Sequence, residues 1–240
     1  MPGAWLILPT YNEAENIGAI VRAARAQLRE GDHILVVDDN SPDRTGAIAD
    51  ELVQELPGVE VLHRPSKQGL GRAYLAGFAH ALAAGADLVL EMDADFSHDP
   101  ADLPRLIAVA EQGADLVLGS RYVPGGSVTD WGLLRRLVSR AGSWYARTIL
   151  GVKVRDLTGG FKCFRRAVLE ALDLDAVHAD GYGFQIELTY RTINEGFRVI
   201  EVPIVFRDRR VGQSKMTARI ALEAVWKVPA LRSRRGANLS

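Results

Sequence analysis

At 240 residues the chain is long enough to bury a sizeable core as one large domain or a domain with a small appendage. Its formal net charge of −1, with 25% charged and 48% hydrophobic residues, excludes nucleic-acid or acidic-partner binding driven by overall charge, so any such attraction must be local. Cys163 is the single cysteine, which excludes an intrachain disulfide and a cysteine-based zinc cluster and fits a reducing compartment.

Residues 1–4 lead into an apolar strand without a basic leader, so no secretory signal is expected. No stretch approaches the roughly 18 uninterrupted apolar residues of a membrane span. The expected location is cytoplasmic, with peripheral membrane attachment left open. Trp5-Leu6-Ile7-Leu8 reads as a buried strand that Pro9 stops, and Ile17, Ile20, Val21 and Ala24 follow at helical spacing. Ile34 to Val37 is the second strand and Val59 to Leu62 the third; a helix follows over Leu70 to Leu82. Leu88-Val89-Leu90 is the fourth strand, residues 101–111 are helical, and Leu116-Val117-Leu118 is the fifth strand. Apolar strands alternating with helices predict an α/β fold with a mainly parallel sheet covered on both faces, which binds ligands at the carboxyl ends of its strands.

Beyond residue 121 the pattern changes. A Gly- and Pro-containing loop over 122–130 precedes a helix over 131–150, and Gly159-Gly160 breaks the chain before a helix near 165–172. Another helix spans about 183–195, β-like runs fill 198–206, and a basic loop leads to a helix at about 216–228. The division expected is a single unit over 1–228, with an alternating strand–helix half at about 1–120 and a differently patterned half at about 121–228. Residues 229–240, with Arg232, Arg234 and Arg235, are expected to be a basic flexible tail.

The strand tips carry the chemistry. Asp93-Ala94-Asp95 places two carboxylates at i and i+2 where a strand ends, and these can converge on one Mg²⁺ or Mn²⁺ that takes its remaining ligands from water and substrate phosphate. The competing reading is that Asp95 caps a turn or helix, with His98, Asp99 and Pro100 completing it. Glu91 lies within the strand and reads as structural. Asp38-Asp39 offers hydrogen-bond acceptors to a ribose or base, or else caps the helix beginning near Asp43. Gly69-x-Gly71 mimics a dinucleotide fingerprint but has Tyr74 where a third small residue is required, so a tight turn with close backbone packing is the better reading.

Cations occupy the second half. Arg121 sits at a strand tip. Arg135 and Ser139 share a helix face at i and i+4 and suit a phosphate. Trp131, Leu133, Leu137, Val138, Trp144 and Tyr145 on that helix suit a membrane interface, although a core-packing helix with a solvated arginine face fits too. The loop from Arg207 to Lys215 suits a lid over phosphates, or is a solvated loop.

Taken together, Leu8 to Glu13, Val36 to Asp43, Lys67 to Gly71, Met92 to His98, Gly119 to Tyr122, Asp156 to Phe164 and Arg209 to Lys215 resemble the GT-A glycosyltransferases of family 2. Among these the closest resemblance is to the polyprenol-phosphate (dolichol-phosphate) mannose synthases. It implies a nucleotide-diphospho-sugar transferase fold with C-terminal interfacial helices, and inverting transfer of mannose from GDP-mannose to a polyprenyl phosphate. Pro9, Tyr11, Glu13, Val37 and Asp39 are then expected around the nucleoside. Asp93, Ala94 and Asp95 face the ribose, metal and diphosphate, and Arg209 and Lys215 clamp the diphosphate. Arg121, Arg135 and Ser139 receive the acceptor phosphate, and Asp93, Asp95 and Arg121 form the catalytic set. The metal, Mg²⁺ or Mn²⁺, falls to Asp95 and Asp93, with Ser97 in a position that other members fill with an amide.

The resemblance further implies peripheral attachment to the cytoplasmic face of a membrane, with a separate membrane subunit as a further partner. A sister enzyme using UDP-glucose or another donor, and a catalytically idle regulatory or membrane-scaffolding homologue, are the alternatives. A dinucleotide-dependent oxidoreductase ranks below both.

Overall fold

The structure is a computed structural model that describes residues 3–177, 181–208 and 228–232. Five strands fall where the apolar runs predict them: β1 (Ala4–Thr10), β2 (His33–Asp38), β3 (Val59–His63), β4 (Leu88–Glu91) and β5 (Leu116–Ser120). Between them lie α1 (Ala14–Arg25), α2 (Thr45–Glu55), α3 (Leu70–Ala83) and α4 (Leu103–Glu111). The second half adds β6 (Ser127–Val128), α5 (Leu133–Leu150), β7 (Lys162–Arg165), α6 (Arg166–Ala171), α7 (Tyr182–Asn194), β8 (Val199–Pro203) and β9 (Val205–Phe206).

Seven strands form one sheet in the order β3-β2-β1-β4-β7-β5-β8, and β6 pairs with β9 apart from it. All pairings in the large sheet are parallel except those of β7, which runs antiparallel between β4 and β5. Sequence reading assigns no element between Gly159-Gly160 and the helix near 165–172, so β7 is an addition. Its four residues, Lys-Cys-Phe-Arg, show no apolar run, and only its neighbours on both sides make it a strand.

Two apolar layers cover the sheet. Leu6, Leu8, Ile34 and Val36 pack with Ile17, Ile20, Leu52 and Leu106 of α1, α2 and α4. Trp5, Ile7, Leu35 and Val37 point the other way, toward Ala73 and Phe78 of α3, Val168 of α6 and Phe184 of α7. Successive side chains on a strand alternate faces, so a strand buried on both sides must be apolar throughout. Gly77 lets α3 lie close on β1: a Cβ there would sit 2.5 Å from Ile7 Cγ2.

Candidate active site

The carboxyl ends of β1, β2, β4 and β5 face one cavity of about 420 Å³. Because β7 runs antiparallel, its entry, Gly159-Gly160, meets the same edge, as do the start of α7 and the strand β9.

On the β1–β2 side, Pro9, Tyr11, Glu13 and Asp39 line the cavity, and Lys67 Nζ lies 3.8 Å above the Tyr11 ring. Neighbouring aspartates divide the two readings of this tip. Asp38 accepts from Ser41 N–H at 3.2 Å and from the Thr10 hydroxyl at 3.3 Å, so it closes the turn. Asp39 is held by Arg64 and by Gln68 N–H at 3.3 Å and presents to the cavity. Asp43 ties the two helix starts together by accepting from Ala14 N–H and Thr45 N–H, each at 3.1 Å. Its partial burial pushes the carboxyl up, but the bonds from Thr45 and Ala14 outweigh this and hold it below the usual range. Val37 does not line the cavity: its side chain is fully buried beside α3, and its carbonyl accepts from the Thr10 hydroxyl at 3.4 Å. Gly69, at φ 102°, opens α3 on the cavity wall, a conformation suited to glycine.

At the end of β4, Asp93, Ala94, Asp95 and Ser97 all line the cavity. Asp95 accepts from Ser97 N–H at 3.0 Å, an Asx turn, so the turn cap of the rival reading is present and also orients the carboxylate. Phe96, at φ 62°, supplies the reversal. The buried Tyr74 hydroxyl reaches Asp93 at 3.4 Å, and Tyr74 itself stacks on Phe184 at 5.9 Å. Burial first and the Asp93 charge second raise that phenol well above its usual range, so it stays protonated as the donor.

His98 is buried between Phe161 and Phe206, and its Nδ1 has no partner among the described residues. Burial drives it down to about 4, so the ring is neutral at pH 7. Asp93, Asp95 and the Ser97 hydroxyl offer oxygen donors that fit a hard divalent cation. Among the described residues no three His, Cys, Asp or Glu side chains gather into a metal cage. That agrees with an ion held mainly between one or two carboxylates and a substrate's phosphates.

Arg121, just past the end of β5, lines the same cavity. Its guanidinium grips Asp156 through Nε at 2.7 Å and Nη2 at 2.6 Å, and also donates to Thr158 at 2.8 Å. The loop carrying Asp156 is pinned from β8: Glu201 accepts from Arg155 N–H at 2.8 Å, Asp156 N–H at 3.0 Å and the Ser120 hydroxyl at 2.7 Å. Burial pushes the Asp156 carboxyl up, but Arg121 outweighs it and the net direction is down. Arg135 joins the cavity from α5, stacked over Trp131 at 4.1 Å and paired with Asp208 at 3.1 Å. Ser139 is not part of the lining; its hydroxyl meets the Tyr122 hydroxyl at 2.6 Å. Trp131, expected on an interfacial helix, instead precedes α5 and is buried edge-on against Phe206. Arg209, Lys215, His178 and the helix expected up to residue 228 lie outside the described residues, except for Val228 itself.

Gln185 is the residue the sequence reading missed. It lies in the first turn of α7, buried on the cavity wall, with its side-chain amide close enough to the Glu91 carboxyl to favour that group's ionised form. A Cβ on Gly160 would sit 3.4 Å from its Nε2 and 3.8 Å from Asp93 Oδ1, so the amide and the carboxylate converge on space that the glycine keeps open. Beneath it Lys162 donates to the Gln185 carbonyl at 2.9 Å, and Glu91 lies opposite Lys162 in the sheet. Burial raises Glu91 to about 7 against the pull of Lys162, and burial lowers Lys162 to about 8 against the pull of Glu91. The available signal was a lone glutamine in the apolar start of a helix that follows a glycine.

The Glycosyl transferase family 2 profile matches residues 5–173. Polyprenol monophosphomannose synthase of Mycolicibacterium smegmatis is 52% identical over 224 residues, covering 93% of this chain and 84% of that one. Undecaprenyl-phosphate mannosyltransferase of Micrococcus luteus is 50% identical over 222 residues, covering 92% and 90%. Among solved structures, glucosyl-3-phosphoglycerate synthase from Mycobacterium tuberculosis with phosphoglyceric acid superposes with a TM-score of 0.74 at 23% identity, covering 97% of this chain and 80% of that one. The same synthase in complex with Mn²⁺, uridine diphosphate and glucosyl-3-phosphoglycerate gives a TM-score of 0.74 at 22% identity, with the same coverage of 97% and 80%. At that identity the likeness speaks for the fold, a GT-A α/β architecture.

Proposed function

The chain belongs to glycosyl transferase family 2, and we propose that it transfers mannose from GDP-mannose to a polyprenyl phosphate, with inversion, giving polyprenyl-phosphate mannose and GDP. The observation that carries this reading is one cavity lined both by carboxylates, Asp93 and Asp95, and by guanidinium groups, Arg121 and Arg135. A site built for one anion needs one such set of groups. A site that joins a sugar nucleotide to an anionic acceptor needs both. The two relatives, a polyprenol monophosphomannose synthase and an undecaprenyl-phosphate mannosyltransferase, support the choice of sugar and acceptor.

In this reading Pro9, Tyr11, Glu13 and Asp39 hold the nucleoside, and Asp93 turns toward the ribose and sugar. Asp95, with Asp93 and Ser97, would hold Mg²⁺ or Mn²⁺, which would neutralise charge on the departing diphosphate. Arg121 and Arg135 receive the acceptor phosphate, and Arg209 and Lys215 are the proposed diphosphate clamp. A phosphate monoester has a second pKa near ~6, so at neutral pH the acceptor is already mostly dianionic and needs no dedicated base. One of its oxygens forms a bond to the anomeric carbon as the bond from that carbon to the GDP oxygen breaks, and GDP leaves with the electron pair. Held by Asp156, Arg121 cannot swing away and keeps its charge at a fixed point, so little reorganisation accompanies the reaction.

The lipid acceptor places the protein at a membrane, on its cytoplasmic face. No helix among the described residues is long and apolar enough to cross a bilayer, so contact falls to surface elements such as α5. A separate membrane subunit would be a further partner, detectable by co-purification.

Calorimetric titration of GDP-mannose and UDP-glucose in the presence of Mn²⁺ tests the donor, and product analysis with a short polyprenyl phosphate tests the acceptor. Tight binding of UDP-glucose with none of GDP-mannose would redirect the reading to the sister activity. Binding of neither would revive an idle homologue.

A further inference from the structure

A second cavity, of about 260 Å³, lies beside the active site and is lined by Tyr122, Arg140, Trp144, Arg147 and Arg155. The guanidinium groups of Arg140, Arg147 and Arg155 enter no ion pair among the described residues, whereas Arg121 and Arg135 are both paired with aspartates. Three cations lining one concavity with no ion-pair partner among the described residues point to an anionic ligand.

The surroundings say which kind. Arg140, Trp144 and Arg147 share a helix face with Leu133 and Leu137, since they follow one another at three- and four-residue steps. Leu133 is 74% exposed, Leu137 56%, Val138 60% and Trp144 66%, an apolar run interleaved with arginines on one helix. A soluble anion would gain nothing from those side chains. A phospholipid surface would: tryptophan and arginine each combine an apolar body with a polar tip, the composition of an interfacial helix.

We propose that the cavity of Arg140, Arg147 and Arg155 binds the phosphate of an anionic membrane phospholipid, a site separate from the acceptor site and used to seat the enzyme on the bilayer. Tyr122 links the two sites. The Arg121 guanidinium carbon lies 5.2 Å from its ring centroid and that of Arg140 5.8 Å. Arg135 and Arg140 are five residues apart on α5, roughly 7.5 Å along the helix axis. A headgroup held at Arg140 therefore sets the height at which an acceptor phosphate from the same leaflet reaches Arg121 and Arg135. The proposal rests on the lipid-acceptor reading for the presence of a bilayer; the binding test does not depend on that reading.

The experiment is co-sedimentation of the full chain with phosphatidylcholine vesicles and with vesicles carrying 30 mol% phosphatidylglycerol. Each arginine near an anionic surface contributes roughly five-fold in affinity, so R140Q/R147Q/R155Q is expected to raise the phosphatidylglycerol lipid concentration for half-binding by about a hundred-fold. An equal-charge control, R22Q/R44Q/R105Q, alters exposed arginines on or beside α1, α2 and α4 and is expected to leave it within two-fold. Calorimetry with GDP confirms that each variant is folded. Unchanged binding in the first triple variant, or an equal loss in the control, would overturn the proposal. So would release of wild-type protein by inorganic phosphate at matched ionic strength, which would make this a free-phosphate site. Failure of the wild type to bind GDP-mannose would count against the donor reading alone.

Discussion

Arg121→Ala exposes how much of the site is held by one buried pair. Arg121 and Asp156 have side chains only 4% and 0% exposed. Three bonds at 2.6 to 3.0 Å join them, one from the Arg121 backbone. Removing the guanidinium leaves a carboxylate in the interior with its backbone bond and Thr158 for company. Loss of one partner of such a pair costs about 3–5 kcal/mol, because the remaining charge is desolvated without compensation. For a chain of this size that is a fall in Tm of roughly 6 to 20 °C. The pH dependence gives the sharper test. In the wild type the Asp156 carboxyl is held below its unfolded value, so its contribution is present above that value and is lost as pH falls through the folded pKa. In the variant burial has no opposing cation, the carboxyl moves above its unfolded value, and protonation relieves the penalty. The stability gap between the two proteins should therefore narrow on going from pH 7 toward pH 5. Urea unfolding followed by tryptophan fluorescence at both pH values measures it. A cost below about 1 kcal/mol, or a gap that widens at pH 5, would refute the reasoning, since exposed pairs contribute that little.

Three further outcomes are expected. Asp95→Ala should lower kcat by at least about a hundred-fold, the scale of removing one electrostatic stabiliser, and should abolish the effect of Mn²⁺ on nucleotide binding; calorimetry with and without metal reads it, and retained metal linkage would move the ion elsewhere. Gln185→Ala should leave GDP affinity within two-fold while lowering kcat/KM for the sugar nucleotide by about ten- to a hundred-fold, the loss of one or two buried hydrogen bonds. An equal loss for GDP would remove Gln185 from the sugar. Lys162→Met should leave Glu91 buried opposite an apolar side chain. Without the Lys162 charge that pulls it down, the Glu91 carboxyl rises beyond its wild-type value of about 7, and because a raised carboxyl is penalised as pH climbs above its unfolded value, the variant's deficit in urea unfolding should be larger at pH 8 than at pH 5. A deficit independent of pH would show that the pair is not coupled.

The resemblance of seven ordered motifs pointed to the family and the reaction class, and residue patterning alone located five strands, the helices between them and the acidic strand tips. These are local properties: burial on both faces demands continuous apolar strands, and a strand ending at a polar turn puts its carboxylates where the sheet opens. Patterning was silent where facing or distant partners decided the outcome. In a strand that is apolar throughout, nothing distinguishes one sheet face from the other, so the sequence could not say that Val37 points under α3, away from the cavity. Shared helix spacing put Arg135 and Ser139 on one face, yet the fold turned the first to the cavity and the second to Tyr122. β7 became a strand only because β4 and β5 left room for one, and its insertion brought Gly160 and Lys162 under the site. Asp156 sits 35 residues from Arg121, and Gln185 acquires its place by meeting Gly160 and Asp93 across the sheet edge. Sequence thus determined which groups stand at the edge of the sheet. Tertiary packing, which sets facing and long-range pairing, decided which of them share the cavity and which hold the others in place.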